Sequence, residues 1–397
     1  MLLLQDANDK TEHEFVLNSV SPSGQQQVFK LICPTYLGLE IQFTLEPPSH
    51  VLPQGYTVSV HLFKNPFHIQ SQITDLRTSD RVMGNGKIGY MFNLEALFTP
   101  GALQLDSHRY CYAYFGVQYL FQNASTLQTK DALIKADPYA ISDFFDDNTI
   151  ILVLCNEFCS EVNAFNLNNY LPNLFLNGFK LFSKSNLIEI ENDHDYLKTN
   201  YKSYTTPNVS NVNGVYPLRL EKAKISISSE AYVVHLFTNL IQKKFDQVTR
   251  FLMFYQVIEI FMPKMIHLEV SQRLCNNLNS LNTDKIKDLV TGLTKHSELI
   301  TALLARHAIP SNELTTLLRQ QILDFFIHVN HPDYADHSKH ANLSLSDLFY
   351  SFRNKIVHEY RILHEAGVDP LITESKVNSI NQLTEALIAE TITVFVG

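Results

Sequence analysis

A short stretch near the C-terminus brings together three side chains whose chemistry suits a phosphodiester substrate. It contains Arg353, Asn354 and His358. Histidine has an unperturbed pKa close to neutrality, so it can accept or donate a proton at cellular pH. Arginine offers a planar fork of donors that matches phosphate oxygens and can stabilise developing negative charge. Asparagine can orient the imidazole or bind the phosphate. None of these roles requires a metal or a cofactor, so neither a metal nor a cofactor is expected.

These residues are predicted to lie on one helix that spans residues 344–366. Ser344 and Asp347 have the S-x-x-D spacing of a capping box at its start. Gly367 and Pro370 would end it. At 100° per residue, the apolar side chains of this segment share one broad stripe, which should pack into a helical bundle. The members of that stripe are Leu345, Leu348, Phe349, Phe352, Ile356, Tyr360 and Leu363.

The polar side of the same helix carries Arg353, Asn354, His358 and Arg361. Asn354 and His358 are four residues apart and therefore lie one turn apart on the helix surface. Arg353 has a long side chain that can reach the same place. The spacing thus predicts that a guanidinium, an amide and an imidazole converge on one side of a rigid element.

The pattern Arg-Asn-x-x-x-His-x-Tyr resembles the R-x4-6-H motif of the HEPN superfamily. It is closest to the R-x4-H-x-Y form of HEPN toxins that are paired with a minimal nucleotidyltransferase. The matching residues are Arg353, Asn354, His358 and Tyr360. The resemblance covers residues 230–397 as a helical bundle with the motif on a late helix. It does not extend to the first 229 residues, and stand-alone toxins of this kind are much shorter.

The resemblance implies a metal-independent endoribonuclease that cuts single-stranded RNA at a composite site between two subunits of a homodimer. In that case His358 would act as general acid or base, Arg353 would hold the scissile phosphate, and Asn354 would support both. The family also implies that a partner can adenylylate Tyr360 and so silence the enzyme. A toxin or anti-phage defence protein is the expected biological class.

Glu259 is a further candidate because it is an acidic residue in a strongly apolar helical stretch. An acidic residue on an early helix of a HEPN bundle often lies near the motif, so Glu259 could pair with Arg353 or Arg361. A second interpretation is a carboxylate that has only a structural role, since buried charges need partners whatever the function.

The expected fold class is α+β multidomain, with a β-rich domain at 1–229 followed by an all-α HEPN-like bundle at 230–397. Period-two patterns at 40–44 and 56–62 predict strands, and aromatic or apolar runs predict further strands at 110–121, 149–155 and 223–229. A short helix is expected at 137–145, irregular chain at 166–173 and a polar loop at 194–215.

Helix-period patterns dominate from residue 230 onwards. They predict helical chain from 231 to about 275, which Pro263 should kink or break. Further helices are predicted at 284–294, 311–329, 344–366 and 375–394. The first domain would sense a trigger or bind a partner, such as an antitoxin or a phage component.

Composition limits the function classes. The net charge is −9, and most of it falls in the first 230 residues, so a general nucleic-acid binder with a basic sheet or stripe is not indicated. An RNA substrate would need a local basic pocket, built by more than one chain. The 5 cysteines contain no CxxC pair, which favours reduced thiols in a cytoplasmic protein over a zinc site. No apolar run approaches the ~20 residues of a membrane span.

Two alternatives remain open at this stage. The helical domain could be a non-catalytic HEPN-like module for dimerisation or sensing, in which the motif residues are structural. The histidine-rich stretch 328–340, with His328, His331, His337 and His340, could suggest metal ligands, although its Pro332 and polar content favour a solvated loop before the motif helix.

Overall fold

The computed structural model divides the chain into two compact units, which are described separately. Unit 1 comprises residues 1–222 and 234–244, and unit 2 comprises 223–233 and 245–397. The sequence-based boundary at 229/230 falls within residues 223–233, which belong to unit 2, and the chain returns to unit 1 at 234–244. The structure describes residues 2–6, 12–35, 38, 40–52, 55–65, 72–79, 86–98, 107–123, 126–130, 149–162, 165–181, 217–224, 227–241, 245–277, 284, 296–306, 312–331, 334, 343–365 and 369–395.

The first sheet of unit 1 has five strands in the order β4-β3-β2-β1-β8. Their bounds are β1 Leu2–Asp6, β2 Glu12–Ser23, β3 Gln26–Ile32, β4 Glu40–Leu45 and β8 Thr126–Lys130. Strands β1 to β4 pair in antiparallel fashion, whereas β8 is added parallel to β1. The alternation predicted at 40–44 is confirmed, since Ile41 and Phe43 of β4 are buried and the residues between them are not.

The second sheet has six strands in the order β10-β5-β9-β7-β6-β11. The bounds are β5 Val58–Lys64, β6 Thr74–Thr78, β7 Lys87–Asn93, β9 Thr149–Cys155, β10 Lys180–Leu181 and β11 Leu218–Leu220. Every residue of β9 is buried, which its unbroken apolar run predicts for a central strand. At the far edge, β11 pairs with β6 in parallel.

The strand predicted at 110–121 is wrong, because this segment lies within helix α2, His108–Asn123. Its residues contact strands of both sheets and belong to one core with them. Such a helix is apolar on nearly every side, so it has no polar face to reveal a 3.6-residue period. The aromatic run then satisfies the composition rules for a strand equally well. The shorter helices of this unit are α1 Glu95–Phe98, α3 Asn156–Cys159 and α4 Leu171–Leu176.

Gly116 allows α2 to lie close to strand β9. A Cβ built on Gly116 would lie 2.4 Å from Cγ2 of the buried Val153. We expect Gly116→Ala to lower the free energy of unfolding, because overpacking costs about 1–3 kcal/mol and exceeds the roughly 1 kcal/mol gain in helix propensity. Urea unfolding followed by circular dichroism measures the change, with Gln118→Ala in the same helix as control. An unfolding midpoint at or above the wild-type value would contradict close packing here.

Two further sequence predictions for the first part of the chain are wrong. The described residues of 223–229 form no strand: Ile227–Ser229 forms a 3₁₀ turn, and the strand lies earlier, at β11. Three residues of β11 suffice because it only adds an edge to an existing sheet. The segment at 166–173 is not irregular, since a 3₁₀ turn at Leu167–Tyr170 leads into α4. The helix predicted at 137–145 and the loop predicted at 194–215 lie outside the described residues.

Unit 2 is mostly helical. Helix α5 begins in residues 223–233 of unit 2 and continues into residues that belong to unit 1. The helices in chain order are α5 Ala231–His235, α6 Gln247–Asn277, α7 His296–Arg306, α8 Asn312–His328, α9 Leu345–Glu365 and α10 Pro370–Val394. A π-helical turn, Leu236–Leu240, continues α5. The helices predicted at 311–329 and 344–366 are confirmed within one residue at each end. Helix α10 begins five residues before its predicted start, because Asp369 caps it and Pro370 occupies its first turn.

Helix α6 does not end at Pro263, so the predicted break there is wrong. Proline removes one backbone hydrogen bond, and burial of the apolar residues around it offsets that cost. The stretch Gln247–Gln272 is the one helix in the described ranges that is long and apolar enough to cross a membrane by length and composition. Half of it is buried inside the unit, and a buried core helix of a soluble protein passes the same test of length and composition.

A buried ion pair joins α6 to α10. Arg250 Nε and Glu385 Oε1 form one contact, and Arg250 Nη2 donates to Glu385 Oε2 at 3.1 Å. The two side chains are 5% and 1% exposed, so both charges are removed from water. The bidentate geometry compensates the loss of hydration and fixes the register of the two helices.

Glu390 on α10 has no such partner among the residues that the structure describes. One of its carboxylate oxygens is buried without a hydrogen bond, and burial raises its pKa to about 7. A raised pKa means that the neutral form stabilises the fold at low pH, and this contribution is lost as pH rises through about 7. Glu390→Gln removes this titration. The stability of the variant relative to the wild type should therefore be higher at pH 8 than at pH 5. Thermal unfolding of the wild type and of Glu390→Gln at both pH values measures this change, and the exposed Glu374→Gln is the control. If the variant differs from the wild type by the same amount at both pH values, the role given to the Glu390 carboxyl is refuted.

Candidate functional site

Helix α9 begins at a side-chain cap, as its sequence predicted. The backbone N–H of Asp347 donates to Ser344 Oγ at 3.1 Å, and Ser344 Oγ donates to Asp347 Oδ2 at 2.6 Å. The cap satisfies a backbone donor that the helix itself cannot, and the acidic side chain in the first turn favours the positive end of the helix dipole. The start of the helix, and with it the position of every later residue, is therefore fixed locally.

The apolar stripe of α9 is buried in unit 2. Leu348, Phe349, Phe352 and Ile356 are each at most 1% exposed. The ring of Phe352 packs edge-on against Phe325 of α8, with ring centroids 4.9 Å apart, and against a phenylalanine of α6. Such contacts hold the helix at a single rotation about its axis. The opposite face, with Arg353, Asn354 and His358, is consequently directed away from the core.

Arg353 is the centre of the polar contacts at this site. Its Nη2 lies 3.5 Å from Glu259 Oε1, and its Nη1 donates to Asn354 Oδ1 at 3.2 Å. Its guanidinium carbon lies 5.7 Å from the ring centroid of Tyr255. The pairing with Glu259 that the sequence suggested is therefore present. It is a half-exposed pair, since the Arg353 and Glu259 side chains are 26% and 37% exposed.

Two polar atoms beside this pair are unsatisfied. Arg353 Nε and the Tyr255 hydroxyl are both buried and have no hydrogen-bond partner among the residues that the structure describes. Burial raises the pKa of Tyr255, although the charge of Arg353 opposes the shift, so the phenol remains a neutral donor.

His358 lies one turn after Asn354 and is exposed. It has no hydrogen bond to Arg353, and at 100° per residue the two side chains leave the helix about 140° apart. Tyr360 and Arg361 belong to α9, but their side chains lie outside the described part of the structure. The structure thus brings Arg353, Asn354 and Glu259 together, and it leaves His358 exposed on the same helix without a contact to Arg353.

Sequence reasoning missed Tyr255 at this site. Its one available signal was position, because it lies one helical turn before Glu259 on α6. Composition gave no reason to select it among the many aromatic residues of that helix. Its role follows only from the packing of α6 against α9, which brings its ring to the guanidinium.

Metal ligands are not grouped at this site. Among the residues with described positions, no three or more His, Cys, Asp or Glu side chains are close enough to hold a metal ion. His328 contacts Thr373 Oγ1 at 3.2 Å, and His331 packs against the rings of Phe326 and Tyr334. His337 and His340 lie outside the described residues.

No family model, no curated protein and no solved structure matches this chain. Any functional conclusion therefore rests on the site itself.

Proposed function

We propose that unit 2 is a HEPN-like, metal-independent endoribonuclease that cleaves single-stranded RNA. The observation that supports this most is on α9, where Glu259 and Asn354 contact Arg353 and the same helix carries an exposed His358. A guanidinium in a defined orientation can bind the scissile phosphate, and a solvent-accessible imidazole can transfer protons.

The roles follow from the contacts. Arg353 holds a phosphate oxygen and stabilises the charge that develops on it, using donors that Glu259 does not occupy. Asn354 orients the guanidinium through its side-chain oxygen. Glu259 limits the rotamers of Arg353, so less conformational entropy is lost when the phosphate binds. His358 acts as the general acid or base.

A homodimer completes the proposed site. Arg353 and His358 of one chain do not touch, and the chain is acidic overall, with a net charge of −9. Two copies that meet through their α9 faces would place one motif opposite the other and double the local positive charge. In this proposal unit 1 responds to a trigger or partner, and the protein acts in the cytoplasm as a toxin or anti-phage effector. Tyr360 is the proposed position of regulation by adenylylation.

A test of the activity uses the purified full chain with excess EDTA. We expect cleavage of a single-stranded RNA and slower cleavage of the same sequence in a duplex. Sequencing the RNA ends that appear after induced expression in cells gives the target. If neither the purified chain nor induced cells yield cleaved RNA above background, the nuclease proposal fails.

One observation supports the alternative of a non-catalytic HEPN-like module for dimerisation or sensing. Arg353 is in contact with both Glu259 and Tyr255, as a structural arginine would be. In that case Glu259→Gln would lower the stability of unit 2 and change nothing else. In the nuclease, the same substitution would also impair RNA cleavage in a protein that is still folded.

A further inference from the structure

Tyr350 is an aromatic residue on the polar face of α9, outside the stripe that packs into the core. At 100° per residue it leaves the helix about 60° from Arg353 and about 160° from the buried Phe352. Its side chain is half-buried. The ring therefore lies on the same side of the helix as the guanidinium of the proposed site.

Helix α7 packs against the first part of this face. Thr301 Oγ1 donates to Ser346 Oγ at 2.7 Å, and Ser346 is 3% exposed. His296, the first residue of α7, packs its ring against that of Tyr350, with centroids 5.5 Å apart and planes inclined by 55°. The two helices run in opposite directions here, since the earlier residue of α7 meets the later residue of α9.

The same face of α9 becomes more exposed beyond Tyr350. The Arg353 side chain is 26% exposed, and Val357, which leaves the helix about 40° from Arg353, is 36% exposed. His358 is exposed as well. Tyr350 thus lies at the border between the part of this face that α7 covers and the part that is open to solvent.

Tyr255 on α6 lies between Tyr350 and the guanidinium. Its ring centroid is 5.7 Å from the guanidinium carbon of Arg353. Burial raises the pKa of Tyr255, Arg353 opposes the shift, and Glu259 and Tyr350 add to it, so Tyr350 is close enough to affect the same phenol. Rings from α6, α7 and α9 therefore lie near one another beside Arg353.

His296 supports one side of the Tyr350 ring. Its Nδ1 is buried and has no hydrogen bond to a described residue, so this nitrogen does not hold the imidazole in place. Among the described aromatic residues, His296 is the one whose ring contacts Tyr350. A single tilted neighbour covers at most one face of a planar ring, and the other face can stack on a further aromatic group.

We propose that Tyr350 and His296 form a base-binding subsite beside Arg353, in which a base of single-stranded RNA stacks on the Tyr350 ring. The subsite rests on the proposed ribonuclease function, because Arg353 supplies the phosphate contact. Every base has a π-face, and stacking on aromatic side chains is a common way to hold the bases of single strands. Tyr350 precedes Arg353 by about 4.5 Å along the helix axis, so one nucleotide can contact both.

This subsite assigns the preference for single strands to a named residue. In a duplex each base is paired and stacked on its neighbours, so it reaches Tyr350 only after it has been taken out of the stack. A single strand presents its bases without that cost. His296 is a positioning residue, because it acts through the orientation of the Tyr350 ring.

Fluorescence anisotropy of the full chain tests the subsite with two probes, a 2′-O-methyl oligouridylate and a 2′-O-methyl oligomer of the same length without bases. Metal-independent cleavage of RNA uses the 2′-hydroxyl as nucleophile, so these probes report binding alone. Tyr350→Ala should weaken binding of the oligouridylate about tenfold or more, because it removes one stacking platform. Binding of the oligomer without bases should not change, and Tyr350→Phe, which keeps the ring, should bind both probes as the wild type does.

Tyr350→Leu keeps the test valid if Tyr350→Ala fails to fold, because it retains a bulky side chain against His296 and removes only the π-face. It should bind the oligouridylate as weakly as Tyr350→Ala. His296→Ala should also weaken this binding, and His296→Phe, which restores an aromatic ring, should recover it. The control is Tyr56→Ala, which removes a 41% exposed tyrosine of unit 1 and should leave binding unchanged.

Cleavage kinetics separate the subsite from the ribonuclease proposal. Tyr350→Leu should raise KM and keep kcat, because stacking binds the substrate and the transition state alike. If the wild type does not bind the oligouridylate, or if Tyr350→Ala and Tyr350→Leu bind it equally well, the subsite is overturned even in a chain that cleaves RNA. Tyr350-dependent binding in a chain that cleaves no RNA would support the subsite and refute the nuclease.

Discussion

Replacing His358 by alanine is expected to lower the rate of RNA cleavage by about 10²–10⁴-fold, because a general acid or base contributes that much to proton transfer. The side chain is exposed, so the unfolding midpoint should stay unchanged. Cleavage of a fluorescent single-stranded RNA, measured under single-turnover conditions with EDTA, gives the rate.

The matched control is His267→Ala, because His267 is also an exposed histidine on a helix of unit 2. Arg353→Lys is the companion variant: it retains the positive charge but loses the planar fork, so cleavage should fall while the pair with Glu259 is partly preserved. If His358→Ala and His267→Ala cleave RNA at the same rate as the wild type, the proposed role of His358 is wrong.

Replacing Glu385 by alanine is expected to lower the free energy of unfolding of unit 2 by about 3–5 kcal/mol, because it leaves the charge of Arg250 buried without its partner. Glu230→Ala is the matched control. It breaks an ion pair with Lys264, whose side chain is 37% exposed, so the expected loss is about 0–1 kcal/mol. Urea unfolding of both variants, followed by circular dichroism at 222 nm, measures the difference.

A double substitution separates charge from packing at this ion pair. Arg250→Met with Glu385→Leu removes both charges and keeps apolar volume, so it should recover most of the stability lost in Glu385→Ala. If the double variant is as unstable as the single one, the pair contributes through its shape and not through compensation of buried charge.

The motif helix was predictable from sequence because every local signal agreed. Ser344 and Asp347 marked its start, and the spacing of Leu348, Phe349, Phe352 and Ile356 gave the buried face. The polar face then followed by geometry. Glu259 was selected because it is an acidic residue in an apolar helix and because the resemblance to the HEPN superfamily places such a residue near the motif.

Helix α2 was not predictable in the same way, because its neighbours determine its structure. It is buried between strands that are distant in sequence, and its aromatic residues satisfy strand and helix rules alike. Tyr255 was missed for a related reason, since its contact with Arg353 depends on how two helices pack.

The parallel pairings at the sheet edges have a consequence for synthesis of the chain on the ribosome. Strand β1 emerges first, but its parallel neighbour β8 follows more than a hundred residues later, and β11 reaches β6 after a similar delay. Until then both sheets expose backbone donors and acceptors along an open edge, which favours pairing with other chains. Unit 1 also includes residues 234–244, so it completes its folding only after residue 244 has been synthesised. Nascent chains released before that point would be prone to aggregate.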